Sequence, residues 1–383
     1  ASLAIASTAD HTFVGQAVVN NGTMDWQGGL LRSGNGGSFT NSAGAVFNDA
    51  ANNHVDNPFG GAFNFTNNGT YNKTGGGTSH LDVPFNNNAG VNVVNGEFRL
   101  NGGGTNASTG QFTTSLGAMT SFNGDYTLAS NSNLNGQGVH QLLAGTLTIS
   151  GNLVAGLLNF NSGTLAGTHT LHGNYGWSGS SWNSAGTTTI ASDGVLNITG
   201  AADHNFSTRA VASNGTVNWQ GGFLRSGNSG SFTNASGAVF NDSASSHIDN
   251  PFGGGFSVTN NGTFNKTAAG ITHLDVAFTN SGVVNVQAGE FRLNGGGSNA
   301  STGFFNTAAG ATTTINSGYS LADGTQLTGP GSYQLISGGL TVSGNLFASL
   351  LNIVGGQLAG THTLQGSYAW SGGDWNTGGT TTI

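Results

Sequence analysis

The chain repeats itself once, without a gap. Asn21-Gly-Thr-Met-Asp-Trp-Gln-Gly-Gly29 returns as Asn214-Gly-Thr-Val-Asn-Trp-Gln-Gly-Gly222, a constant offset of 193 residues that carries Trp26 to Trp219. The same offset takes His54 to His247, Glu97 to Glu290, His169 to His362 and the closing Thr-Thr-Thr-Ile from Ile190 to Ile383. More than half of the aligned positions are identical. Globular domains accumulate loop insertions as they diverge. A long repeat with none implies that each residue holds a fixed place in a regular lattice, with units 1–190 and 191–383.

Composition says which lattice. Among 383 residues there are 68 Gly but only 4 Pro, and Gly does not fall at every third position, so a collagen helix is excluded. The longest Gly-free stretches, Ala45–Phe59 and Ala238–Phe252, each contain Asn, Asp and Pro. Each interior Gly costs a helix about 1 kcal/mol relative to Ala, so helices are excluded too. With 23 Phe, 6 Trp and 6 Tyr the chain has the apolar content for an ordered core. Seven basic residues against 15 acidic ones, a net charge of −8, exclude a cationic surface for nucleic acid or anionic lipid. No apolar run is long enough for a membrane-spanning helix. The absence of Cys removes disulfides, thiolate metal sites and cysteine nucleophiles.

A shorter period runs inside each unit. Phe39-Thr-Asn-Ser-Ala-Gly, Phe65-Thr-Asn-Asn-Gly-Thr and Phe85-Asn-Asn-Asn-Ala-Gly share one template, and Phe112, Leu134, Leu153 and Leu171 open later copies. Between them lie short alternating stretches such as Val91-Asn-Val93, Glu97-Phe-Arg-Leu100 and Leu147-Thr-Ile149, punctuated by Gly or Asn-Gly. Period-two alternation specifies strands, and Asn and Gly supply left-handed corners. The expected fold is therefore all-β: a parallel β-helix, or β-solenoid, of about nine coils per unit. At about 4.8 Å per coil a unit would measure roughly 43 Å, and the two units one continuous rod of about 90 Å. A pair of β-sandwiches is the alternative, but Ile190-Ala-Ser-Asp-Gly-Val-Leu-Asn-Ile198 continues as strand–turn–strand where a linker would fall.

Gly69-Thr-Tyr-Asn-Lys-Thr-Gly-Gly-Gly-Thr78, Asp82-Val-Pro-Phe-Asn-Asn87 and Gly96-Glu-Phe-Arg-Leu-Asn-Gly-Gly-Gly104 resemble repeats of filamentous-haemagglutinin-like and autotransporter-like bacterial surface adhesins. The stretch from Trp177 through Thr187-Thr-Thr-Ile190 to Ile198 does so as well. The resemblance covers nearly the whole chain and implies a right-handed parallel β-helical passenger region, secreted or cell-surface. The chain opens Ala1-Ser-Leu-Ala without Met and carries no recognisable barrel or secretion segment, so it reads as an excised piece of a longer array.

In so neutral a chain the few charges are informative. His54-Val-Asp56 and His80-Leu-Asp82 lie equally far after Phe39 and Phe65, so they are expected to stack on successive coils. Glu97-Phe-Arg99 would follow, with Leu81 beside Phe98 and Val83 beside Leu100. That register places Asp82 against Arg99 and His80 against Glu97. The second unit repeats the set as His247, Asp249, His273, Asp275, Glu290 and Arg292. A structural charge ladder is the first reading. A His/Asp metal site is chemically open, but the neighbouring Arg argues against it. A polar face for sugar or a partner protein is a third reading. Paired acids can also be hydrolytic when about 5–9.5 Å apart. No catalytic residue, metal set or cofactor is assigned.

Other features are read as structural. Trp26, Trp177 and Trp182, with their copies Trp219, Trp370 and Trp375, are expected to cover core or corners rather than stack on sugars. Lys73 and Lys266 are expected in solvent. Asn67–Asn68 and Asn86–Asn88 are expected to stack as amide ladders between coils. Asn-x-Ser/Thr sites at Asn21, Asn68, Asn72 and Asn106 leave glycosylation open. Gly102–Gly104 lacks the Gly-Lys-Ser/Thr of a phosphate loop. The expectation is a non-enzymatic segment of an extracellular fibre. Its partner is more of the same chain, stacked end to end or in series, with surface or matrix glycans as further candidates. A carbohydrate-binding or polysaccharide-cleaving β-helix is the alternative.

Overall fold

A computed structural model describes residues 1–376 and 378–383, and no helix occurs among them. Short strands wind through about 18 parallel turns. They fall into two compact units, Ala1–Ser181 and Trp182–Ile383, each a parallel β-solenoid.

Most coils have three strands, and there each strand pairs in parallel with the strand three further on. In the first unit Thr70–Lys73, Thr78–Leu81 and Phe85–Asn87 form one coil, and Gly90–Val93, Glu97–Leu100 and Gly104–Asn106 the next. Their register sets Tyr71 beside Val91, Leu81 beside Leu100 and Phe85 beside Gly104. The third strands alone make an eight-stranded sheet from Ala17–Asn20 to Thr164–Ala166. Late in each unit, Gly151–Phe160 and Gly344–Ile353 run through a corner as unbroken strands, with a register shift between Ala155 and Leu158 and between Ala348 and Leu351.

Alternation decides what fills the coil. Phe39, Phe65 and Phe85 stand in register on third strands, and Phe47 and Tyr71 on first strands, all buried. Phe39 stacks on Phe65 at 4.5 Å, and Phe47 on Tyr71 at 5.0 Å. In the second unit Phe240 stacks on Phe264 at 4.7 Å. Burying each ring stabilises by about 1.5–3 kcal/mol relative to exposure, so this apolar spine is the main stabilising term. Trp26, Trp177, Trp182 and Trp219 are buried as expected, whereas Trp370 is 58 % exposed and stacks on Trp375.

The corners are held by amides. Asn20, Asn41, Asn67, Asn87 and Asn106 form a buried ladder in which each side-chain NH2 donates to the next side-chain oxygen at 2.8–2.9 Å, Asn106 ending on Ser132. Each also donates to a corner carbonyl, as Asn67 does to Gly90 at 3.2 Å. The second unit repeats the ladder from Asn234 through Asn260, Asn280 and Asn299 to Thr325. The expected stacking of Asn88 on Asn68 is also present, at 2.8 Å.

Lys73 and Lys266 are not in solvent. Both are fully buried, because the alternation that turns Tyr71 and Phe264 inward turns the residue two further on inward as well. The Lys73 ammonium reaches the corner, donating to Asn52 Oδ1 at 2.8 Å and to the Gly75 carbonyl at 2.5 Å. Lys266 does the same to Ser245 Oγ and the Ala268 carbonyl.

Candidate functional site

The polar residues singled out in the sequence lie along the second strands of successive coils. Val55, Leu81, Phe98 and Leu100 point inward and are buried, which turns His54, Asp56, His80 and Arg99 outward. His54 stands beside His80 and Val55 beside Leu81, as expected. The next coil departs from expectation: His80 stands beside Arg99 and Leu81 beside Leu100, so Asp82 does not face Arg99 and His80 does not face Glu97. The two registers differ by two residues and keep the same side chains inward, so burial does not choose between them. The corner does. Gly96 has a φ of +69°, so Asn95-Gly96 must turn and cannot lengthen the strand.

This register separates the charges into two groups. Arg99 forks onto Glu97 of its own strand, with Nε and Nη2 donating to the two carboxylate oxygens at 2.9 and 2.8 Å. Ser121 Oγ donates to the same carboxylate at 2.6 Å. Burial works against ionising Glu97, but the bonds from Arg99 and Ser121 outweigh it and hold the carboxyl below its ordinary range. Arg292, Glu290 and Thr314 repeat the arrangement. Asp56 belongs to Arg32, 3.3 Å away, which also pairs with Asp10 at 2.8 Å. Arg225, Asp203 and Asp249 are their copies, at 2.6 and 3.2 Å.

The second group is His54, His80 and Asp82. The two imidazoles stack with centroids 4.2 Å apart and planes within 6°. His54 Nδ1 donates to Asp82 Oδ2 at 2.5 Å, and the Asn101 amide donates to Asp82 Oδ1 at 2.6 Å. The same amide nitrogen lies 3.2 Å from His80 Nδ1. An amide NH2 can only donate, so His80 Nδ1 accepts and its proton sits on Nε2. Burial, and then the neighbouring His54, pushes the His80 imidazole below its ordinary range, and His273 is shifted the same way. One ligand atom from each of His54, His80 and Asp82 lies within 4.8 Å of the others. The His54 and Asp82 side chains are 43 % and 29 % exposed, so solvent reaches the cluster. His247, His273, Asp275 and Asn294 reproduce it: ring stacking at 4.1 Å, Nδ1 to Oδ2 at 2.6 Å, and amide to carboxylate at 2.7 Å.

Arg32, Asp10 and Asn101, with their copies, were not singled out in the sequence. Arg32 sits on the two-residue strand Leu31–Arg32, too short to show alternation. Asn101 is one among many asparagines.

No family model matches the chain, and no curated protein matches it in sequence. The resemblance to surface-adhesin repeats therefore rests on the motifs quoted above, together with a parallel solenoid of the kind those repeats imply. No helix among the described residues is long and apolar enough to cross a membrane.

Proposed function

We propose that the chain is a non-enzymatic structural repeat of a large secreted or cell-surface bacterial fibre, an adhesin-like stalk or extracellular filament. One observation carries this reading: side-chain interactions recur position by position at the 193-residue offset. The His–Asp pair, the Arg–Glu fork, the Arg–Asp pairs and the buried asparagine ladder all appear in both units. A reaction centre needs one constellation in one cleft, whereas a fibre needs the same surface again at each repeat. Extension by parallel pairing supplies reach at about 4.8 Å per coil. More coils of the same kind, in series or from another copy, are the partner such a lattice takes.

Cleavage assays on a panel of cell-surface polysaccharides test the reading. Viscosity and reducing-end content are expected to stay constant. Depolymerisation that is lost in an Asp82→Ala/Asp275→Ala double variant with intact folding would overturn it in favour of a polysaccharide-cleaving β-helix.

A further inference from the structure

We propose that His54, His80 and Asp82 bind a divalent transition-metal ion of the zinc class, and that His247, His273 and Asp275 bind a second. The neighbouring Arg counts against a metal; in the observed register it stands beside His80 and not against Asp82, with its guanidinium turned onto a carboxylate of its own strand. Arg99 is committed to Glu97, and Arg32 to Asp10 and Asp56. Asp82 is left with two partners, His54 and the neutral Asn101 amide. Two imidazoles and one carboxylate make a donor set that suits zinc, copper or nickel.

The geometry is close to a ligand set. Tetrahedral zinc with bonds of about 2.0–2.1 Å needs donor atoms roughly 3.3 Å apart. His54 Nδ1 and Asp82 Oδ2 are already at 2.5 Å, and the three donor atoms lie within 4.8 Å. The stacked imidazoles are parallel, so His80 must turn its ring for a nitrogen to converge on the other two. The ion takes the place of the proton shared by His54 Nδ1 and Asp82, and that proton leaves to solvent. Asn101 stays on the second carboxylate oxygen and orients it from outside the ligand set. Water completes the coordination on the exposed side. The three ligands come from two neighbouring coils, so the ion would staple one coil to the next.

The second cluster strengthens the case. Phe223 lies against His247, with ring centroids 4.9 Å apart, yet the ring stacking and the His–Asp contact keep the same geometry as in the first unit.

Calorimetric titration of the chelator-treated chain with Zn²⁺ alone is the test. Two sites per chain are expected, one for each cluster. His80→Gln should leave one, and His80→Gln/His273→Gln none. Asp82→Asn/Asp275→Asn serves as a second pair should the histidine variants lose their β-sheet circular dichroism. Electron paramagnetic resonance of the Cu²⁺-loaded wild-type chain should show coupling to two imidazole nitrogens. Absence of Zn²⁺ binding, binding unchanged in the double variants, or a Cu²⁺ spectrum without imidazole coupling would each overturn the proposal.

Discussion

Asn67 shows how a nearly uncharged chain fixes its corners. Its amide accepts from Asn41, donates to Asn87 and donates again to the Gly90 carbonyl, all within the solenoid. Replacing it by Leu removes these bonds and strands a donor on Asn41 and an acceptor on Asn87. An unsatisfied buried polar group costs about 1–3 kcal/mol, so urea unfolding of Asn67→Leu should show a loss of about 3 kcal/mol or more. His140 makes a different point. Its Nδ1 donates to the Leu157 carbonyl, Nε2 meets Thr114 Oγ1 at 3.0 Å, and burial lowers the imidazole from 6.5 to about 4. The folded state therefore binds fewer protons than the unfolded state between those values. The stabilisation is complete above pH 6.5 and is lost as pH falls toward 4, by up to about 3 kcal/mol. The second unit carries Tyr333 at this position, its hydroxyl 2.6 Å from the Thr328 carbonyl and 3.0 Å from that of Phe305, with one proton to donate between them. His140→Tyr should accordingly flatten the fall in urea stability between pH 7 and pH 4. An unchanged pH profile would show that His140 is not its source. The asparagine ladders were legible in the sequence because the template Phe-x-Asn repeats. The inward turn of Lys73 was also present in the alternation, but the usual preference of lysine for water pointed the other way.

At the level of strands and corners, faces were easier to read than register. Alternation assigns Val55, Leu81 and Phe98 to the interior whichever way the coils are slid by two residues. Corner length makes the choice, and it depends on where glycine takes a positive φ. Gly104, at φ +129°, shows how tight these corners are: a Cβ there would run into the Phe85 carbonyl of the coil below. Gly104→Ala should cost at least about 1–3 kcal/mol in strain alone, read as a lower melting temperature. Register itself can be trapped, since the chain has no cysteine of its own. Parallel neighbours about 4.8 Å apart fall within disulfide reach. His80→Cys/Arg99→Cys should therefore oxidise readily, while His80→Cys/Glu97→Cys, two residues out of register, should not. The reverse result would restore the pairing read from charge complementarity. That complementarity misled because Arg99 finds its carboxylate on its own strand, two residues away, and needs none from the neighbouring coil.

Across the whole molecule, stability comes from the apolar spine and from neutral amides far more than from charge. Arg32 and Arg225, the arginines of the Asp pairs, are partly exposed and their partners Asp10 and Asp203 more so, and exposed pairs contribute about 0–1 kcal/mol each. The urea midpoint should change little between low and high salt, and a large shift would reveal an electrostatic contribution that the lattice lacks. Extended repetition is the central claim, and electron microscopy of the purified 383-residue chain across a concentration series tests it most directly. Rods, or filaments that lengthen with concentration, are predicted. Compact particles at every concentration would contradict it.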